Sequence, residues 1–397
     1  MYLLKWKNLL FLAGFYLLFL CATVLADAPI IVDHDCTDLN KIPNSAIEQA
    51  KTSLHIAYGH TSHGSQLTTG MNGLVGFING GGLSLNLPEN IFAWNNGGSD
   101  GALDLHDYAM GGDCGDYPNW VNYTIDYLGE PNPDTGTGTT NPDVNVIIWS
   151  WCGEVSGKYA NGTLDDQYLT PMSQLEIGYP GVDFVYMTGH VDHWNDANNK
   201  AANQMIRDYC YANYKILYDF ADIDSHDPDG TFYEFPSDNC DYYASAAGAK
   251  LGNWATAWQG SHTEGVDWYN CSSAHSQPLN ANQKAYAAWW LWARLAGWDG
   301  LKYKTIHVDP DVPGDSEATP PRYTSIQTAI NNNIGTDCHL KIRRTICDED
   351  VTNNGTAVTV LEGGWNETFK TCAGCSTIQG RLTIADGSFI IKNIILQ

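Results

Sequence analysis

Apolar residues in the first three-quarters of the chain follow two rhythms. Short runs at Ser53–Tyr58 (SLHIAY), Val144–Trp149 (VNVIIW), Val182–Met187 (VDFVYM) and Lys215–Phe220 (KILYDF) predict strands. The run Val144–Trp149 is nearly unbroken, as in a strand covered on both faces. Between the runs the spacing becomes helical. Leu67, Met71, Leu74, Val75 and Ile78 share one face; Ala202, Met205, Ile206, Tyr209 and Asn213 share another. Ser45-Ala-Ile-Glu48 has the spacing of a capping box. Asn280-Ala-Asn-Gln283 caps a last helix, KAYAAWWLWARLA, that stops at Gly297. Strands alternating with helices predict an α/β domain over residues 27–300, a three-layer α/β/α sandwich with a parallel sheet. Such sheets bind ligands beyond the carboxyl ends of their strands. Residues that follow a strand therefore weigh most.

Past Gly300 the rhythm changes again. A Pro- and acid-rich stretch, VDPDVPGDSEATPPRY, precedes one short helix (SIQTAI) and brief β runs with no room for crossover helices. This predicts a short all-β module over residues 301–397. Its SIQ-A-I segment followed by Gly- and Asn-punctuated runs resembles the start of a pectin-lyase-like parallel β-helix. Only about four rungs fit, near the minimum for a stack. The last run, FIIKNIILQ, has no polar cap, so an open β edge suited to self-association is expected.

Residues 1–26 combine Lys5 and Lys7 with an apolar run from Leu9 to Leu20 and small residues at Val24 and Ala26. This is the pattern of a signal peptide cleaved before Asp27, and it predicts a secreted, periplasmic or cell-surface protein. No later stretch is apolar enough to span a bilayer, so no membrane partner is expected after cleavage. Export changes how the cysteines are read. Cys21 leaves with the signal; Cys36, Cys114, Cys152, Cys210, Cys240 and Cys271 precede residue 300, and Cys338, Cys347, Cys372 and Cys375 follow it. Both sets are even, so disulfides closed within each part are expected, with connectivity open. Cys372-Ala-Gly-Cys375 reads as a short-loop disulfide rather than a zinc half-site. The formal net charge of −25 repels phosphate backbones, which argues against nucleic acid as a partner. Fourteen tryptophans and 22 tyrosines leave room for a sugar-stacking surface as well as a core.

The first strand runs into Tyr58-Gly-His-Thr-Ser-His-Gly-Ser65. Ser62 then stands at a helix N-terminus, where backbone N–H groups can receive an oxyanion. Gly64 permits close backbone approach. Near the end of the domain, Cys271-Ser-Ser-Ala-His275 returns to the same sheet edge, where a neutral His275 could take the serine proton. This order of parts resembles the SGNH (GDSL-like) hydrolase superfamily over the whole of residues 27–300. The resemblance implies Ser62 as nucleophile and His275 as general base. It also has departures. His60-Thr61-Ser62 replaces Gly-Asp-Ser, and the third strand ends in Ser150-Trp-Cys-Gly-Glu154 without the family's Asn. Oxyanion donation then falls to the Ser62 N–H and to backbone near Gly153 or Gly112. Ser272 occupies the place of the family's Asp, so a Ser-His dyad or an acid such as Asp267 is required.

Thr188-Gly-His-Val-Asp-His193 follows the next strand and places His190 at the cleft edge, as a substrate contact or, with Asp192 and His193, as a loose metal set. His60 likewise belongs to the substrate-facing turn. Asp222, Asp224, Asp227 and Asp229 alternate before Gly230 as in a calcium loop, but Glu234 comes too early for its terminal ligand, so turn-forming acids are the first reading and a calcium site the second. Asn122, Asn161, Asn270, Asn354 and Asn366 carry glycosylation sequons. The expected activity is ester hydrolysis, with deacylation of a carbohydrate as one form of it, without a cofactor. The rival is a non-catalytic surface or carbohydrate-binding protein on the same fold.

Overall fold

The structure is a computed structural model that describes residues 29–300 and 303–397. The expected signal peptide and its cleavage site lie outside the described residues. Seven parallel strands form the main sheet: β1 (Ile30–Val32), β2 (His55–Gly59), β3 (Trp94–Asn95), β4 (Leu103–Met110), β5 (Val146–Trp149), β6 (Asp183–Met187) and β7 (Ile216–Tyr218). Their order is β1-β7-β6-β5-β2-β4-β3. The chain leaves β2 in one direction for β3 and β4, then reverses to lay β5, β6 and β7 on the other side. The reversal puts a crevice between the carboxyl ends of β2 and β5, where open α/β sheets bind ligands. Every position of β5 is buried, so both faces of the sheet are covered, as its unbroken apolar run predicts.

The helices are α1 (Asn44–Ser53), α2 (Ser65–Asn79), α3 (Asn119–Leu128), α4 (Val155–Ala160), α5 (Thr170–Gly178), α6 (Asp196–Ala212), α7 (Phe220–Ile223), α8 (Trp254–Ser261) and α9 (Pro278–Leu295). A hairpin of β8 (Asp241–Tyr243) and β9 (Lys250–Asn253) precedes α8. Helix α9 packs on α1 and α2 and is buried at every position from Leu279 to Ala293. A helix enclosed on all sides must bury polar groups, and most such groups find partners within the protein. Its Lys284 is fully buried and meets Asp224 at 2.5 Å.

Two predicted caps differ. Helix α1 begins at Asn44 behind Pro43, so Ser45 already lies inside it and no side chain caps it. Helix α9 begins at Pro278, the proline-first arrangement, and Asn280 instead donates to Asp224 and Ser276. Strand β4 was not visible in the pattern because Asp104, His106 and Asp107 interrupt its apolar positions.

Past residue 303 come β10 (Lys304–Val308), β11 (Arg322–Tyr323), a short helix α10 (Ile326–Asn331), β12 (Cys338–Arg343), β13 (Ile346–Cys347), β14 (Val351–Asn353), β15 (Val358–Trp365), β16 (Ser376–Ile378), β17 (Leu382–Ile384), β18 (Ser388–Lys392) and β19 (Ile394–Leu396). Each circuit of the chain adds a parallel strand to the same ladders: β12 pairs β15 and β15 pairs β18, while β13 pairs β16 and β16 pairs β19. This part has its own core around Ile306, Leu340, Leu361 and Ile378. Strands β18 and β19 are ladder edges and expose Ile391, Ile395 and Leu396.

The expected disulfides are not formed. All ten cysteines among the described residues are free thiols. Many have a partner of their own. Cys240 lies 3.2 Å from Ser276 Oγ, Cys271 accepts from Asn282 at 3.4 Å, and Cys338 faces the Thr336 carbonyl at 3.1 Å. An even count is compatible with pairing but does not bring two sulfurs within reach of each other. Among the described residues, no helix is long and apolar enough to cross a membrane.

Candidate active site

The turn that leaves β2 is tightly determined. A Cβ on Gly59 would lie 2.5 Å from the Trp149 ring, so the strand end packs directly on indole. His60 is buried, its Nε2 2.7 Å from Asp107 and its ring between Tyr58 and Tyr108. The Tyr58 hydroxyl donates to the Gly64 carbonyl at 3.0 Å, and Thr61 donates to Asp113 at 2.9 Å. Ser65 N donates to Thr61 O, so the turn is already the first turn of α2. The N–H groups of Ser62, His63 and Gly64 therefore stand at a helix N-terminus, and none of them meets an acceptor among the described residues. Gly64 is required by space, not by its backbone angle of φ −61: a Cβ there would sit 2.3 Å from Ser150 Oγ and 2.4 Å from His60 Cβ. Gly64→Ala is expected to lower stability by about 1–3 kcal/mol, the usual overpacking cost, read as a shift in the urea midpoint.

The turn that leaves β5 faces this one. Ser150 N bonds Gly59 O, and buried Trp151 donates from Nε1 to Met187 O at 3.0 Å. These contacts hold Cys152 at the mouth of the crevice, half-buried. Ser62 Oγ lies 3.2 Å from Cys152 Sγ. His63 Nδ1 lies 3.5 Å from the same sulfur, and His63 Nε2 lies 3.3 Å from Asp238 Oδ2. Sulfur, imidazole and carboxylate are thus connected in sequence, with a hydroxyl beside the sulfur. Two further rings enclose His63: His190 stacks on it at 3.9 Å and His275 at 4.3 Å. His190 Nδ1 is 2.7 Å from its neighbour's carbonyl, Val191 O. His275 adopts a left-handed φ of +64, uncommon for a residue with a side chain, and its loop is anchored by Gln66 donating to Ala274 O at 2.5 Å.

The charges follow from these contacts. The hydrogen bond from His63 is the largest influence on the Cys152 thiol; with help from Ser62 and Thr61 it outweighs burial and lowers the thiol to about 7. Burial opposes the charge on His63, but the hydrogen bonds to Asp238 and Cys152 prevail and raise the imidazole to about 9. His190 is held below the ordinary histidine value by burial and then by the neighbouring His63 charge. Burial works against the Asp238 charge, but the His63 hydrogen bond overrides it, so the carboxyl is lowered. At neutral pH the arrangement favours a thiolate–imidazolium pair.

His63, His190 and Asp238 also offer ligand atoms within 4.8 Å of one another, a set that could hold a metal ion. The His63 and His190 rings are parallel to within 5°. An imidazole binds a metal along its in-plane lone pair, and the lone pairs of face-to-face rings run side by side instead of converging. Both nitrogens of His63 are also already engaged, by Cys152 and Asp238. The geometry fits an acid–base relay better than a chelate.

The structure brings Ser62, His190 and His275 into one cluster, but not in the expected roles. Ser62 bonds Cys152, and His275 makes a ring contact with His63; no hydrogen bond joins Ser62 to His275. Asp267 accepts from Thr263 N at 2.8 Å in a local turn and does not orient His275. His60 supports the turn from below. Gly112 lies on the loop after β4, and the only atom that a Cβ there would approach is Asp116 Oδ2. Gly153, at φ +105, lies against His190 Nε2. Asp192 caps a 3-10 turn and His193 stacks on Tyr243, so neither joins a metal set with His190. Asp222 pairs with His34, Asp224 with Lys284, and Asp227 caps its own turn, so these three acids have structural partners; Asp229 accepts from Trp258 Nε1. Sequence reasoning missed three members. The even count places Cys152 in a disulfide. Nothing in the sequence distinguishes His63 beside Ser62. Asp238 lies in a loop with no distinguishing pattern.

From Gly153 a groove of about 600 Å3 extends between α4 and the start of α6. Asn161, Gln167, Asn195 and Asn198 face it together with the charged Glu154 and Lys158, and no apolar side chain larger than Ala160 does. Trp194, on the turn capped by Asp192, is 82% exposed next to Asn195. Comparisons with protein-family models, with curated proteins and with solved structures find no match to this chain.

Proposed function

We propose that the chain is a cysteine-dependent acyl hydrolase acting on a hydrophilic ester or amide. The observation that carries this is the connected set Cys152–His63–Asp238, with the thiol lowered to about 7 and the imidazole raised to about 9. The Cys152 thiolate attacks the acyl carbon and forms the C–S bond. The carbonyl oxygen takes the negative charge and is held by N–H groups at the head of α2. As the tetrahedral species collapses, imidazolium His63 gives its proton to the leaving oxygen or nitrogen. His63, now neutral, then takes a proton from water, which attacks the thioester and returns the thiolate. Asp238 holds the His63 ring and balances its charge; Ser62 donates a hydrogen bond to the thiolate. His190 and His275 brace the ring from both sides.

Several observations support an SGNH-like frame for this site. The strands β4-β2-β5-β6-β7, counted from β2, follow the order 2-1-3-4-5, and the chemistry follows the first and third. Cys152 stands after the third strand, where that superfamily's pattern places an Asn. The stacked parallel ladders of the second part support a β-helix-like module. The amide-lined groove and exposed Trp194 favour a polyhydroxyl substrate, an acylated carbohydrate above all, because amides match the mixed donors and acceptors of hydroxyls and an acyl tail would leave them unpaired. Export remains part of the proposal on the strength of residues 1–26.

Brief treatment with iodoacetamide near pH 7.5 tests the reading. Cys152 is expected to be modified ahead of the other thiols, with esterase activity lost in proportion. Activity needs Cys152 deprotonated and His63 protonated. It is therefore expected to rise as pH passes about 7 and to fall as pH passes about 9. Labelling of Ser62 by a fluorophosphonate, with activity intact after alkylation of Cys152, would instead make the serine the nucleophile and overturn the proposal.

A further inference from the structure

A second cavity, of about 880 Å3, shares no residue with the cysteine cluster. It is framed by the turns after β1, the segment after α2, the turn Asp227–Gly230, α8 and the first half of α9. Leu39, Leu83, Leu279 and the Tyr286 ring give it apolar walls, and Trp258 stands there stacked on His262 at 3.6 Å. Asp35, Asp38, Asp227, Asp229 and Asp267 line it, with His34, His262 and Lys41, whose ammonium lies 3.8 Å from Asp38.

The hydrogen-bonding capacity left over is mostly acceptor, and the Tyr286 hydroxyl can donate or accept. Gln283 is 1% exposed; its Nε2 donates to His226 O, and its Oε1 accepts nothing. Tyr286 is 6% exposed and its hydroxyl has no partner. Asp229 accepts from Trp258 Nε1 through one oxygen, and Asp267 accepts from Thr263 N through one oxygen, so each keeps a second oxygen unused. Buried acceptors without donors are costly and rare in folded proteins. A cavity with apolar walls and charge of one sign concentrates counter-charge.

We propose that this cavity binds an organic cation: a primary ammonium carried on an apolar body. An ammonium has three donors and no acceptor, which complements this surplus of acceptors. A carboxylate or phosphate would meet five aspartates. A neutral polyol would bring as many acceptors as donors. The apolar body lies along the leucines and Tyr286, and the charged end faces Asp229 and Asp267, with Gln283 Oε1 taking an N–H after a small rotation of the amide.

Isothermal titration with 2-phenylethylamine tests this on the whole chain, with 2-phenylethanol and 3-phenylpropanoate as matched neutral and anionic probes. The amine is expected to bind with Kd on the order of 0.1–1 mM. The other two are expected to bind at least about tenfold more weakly, and amine affinity should fall between about 50 and about 500 mM NaCl. The double variant Asp229→Asn, Asp267→Asn should lose about tenfold in amine affinity. It should keep the native alkylation rate of Cys152, which shows that the domain is folded. Equal binding of the alcohol, unchanged binding in the folded double variant, or no binding of the amine to the native chain would each overturn the proposal.

Discussion

Cys152→Ala is expected to reduce hydrolysis of an activated acetyl ester by at least ~10³-fold, because no thioester can form. The circular dichroism spectrum should not change, since the side chain is small and half-buried. His63→Ala should lose nearly as much, as nucleophile and base act as one unit. Ser62→Ala should lose only about tenfold, the scale of one hydrogen bond to the thiolate. That ordering is the informative result. If Ser62→Ala were as damaging as Cys152→Ala, the hydroxyl would be forming the bond. Steady-state kinetics with each variant, at a pH between about 7 and about 9, where the thiolate–imidazolium pair predominates, decides the matter.

The second large effect concerns stability. Lys284→Met is expected to destabilise the fold by about 3–5 kcal/mol, the cost of breaking a buried ion pair on one side. Asp224 is 2% exposed and would keep only Asn280 and the Val191 N–H as partners. Burial already pushes the Lys284 amine below its ordinary value, and the Asp224 charge opposes that. The double variant Lys284→Met, Asp224→Leu should recover most of the loss, because no charge is left uncompensated. Urea unfolding of the three variants measures this. The pair also bears on the site: Lys284 donates to Gln66, which holds Ala274 beside His275, and Asp224 holds Val191 beside His190. Lys284→Met should therefore loosen both rings that brace His63.

The frame of the α/β part was legible because burial imposes a period. Val144–Trp149 and the face Leu67–Ile78 are apolar where the sheet and helix must be, and they form β5 and α2. What escaped was decided by long-range polar contacts. Strand β4 carries Asp104 and His106, which are tolerated there because they pair with each other and Asp104 also pairs with His55. The expected pairing of Ser62 with His275 used the correct sheet edge, and the two residues do meet the same cluster. The roles were missed because a thiol in a chain with an even cysteine count looks structural, and only the fold shows that Cys152 has an imidazole instead of a second sulfur beside it. Asp238 was illegible for a related reason, since its partner is 175 residues away.

That separation also bears on how the protein is made. In a nascent or unfolded chain Cys152 is an ordinary thiol near ~8.5, largely protonated and slow to react. It becomes a reactive thiolate only when His63 has arrived from one side and the loop bearing Asp238 has closed from the other. An unfinished polypeptide emerging from the ribosome therefore carries a chemically quiet sulfur. Reactivity appears only when these segments have docked, and the rate of alkylation at one cysteine reports that docking.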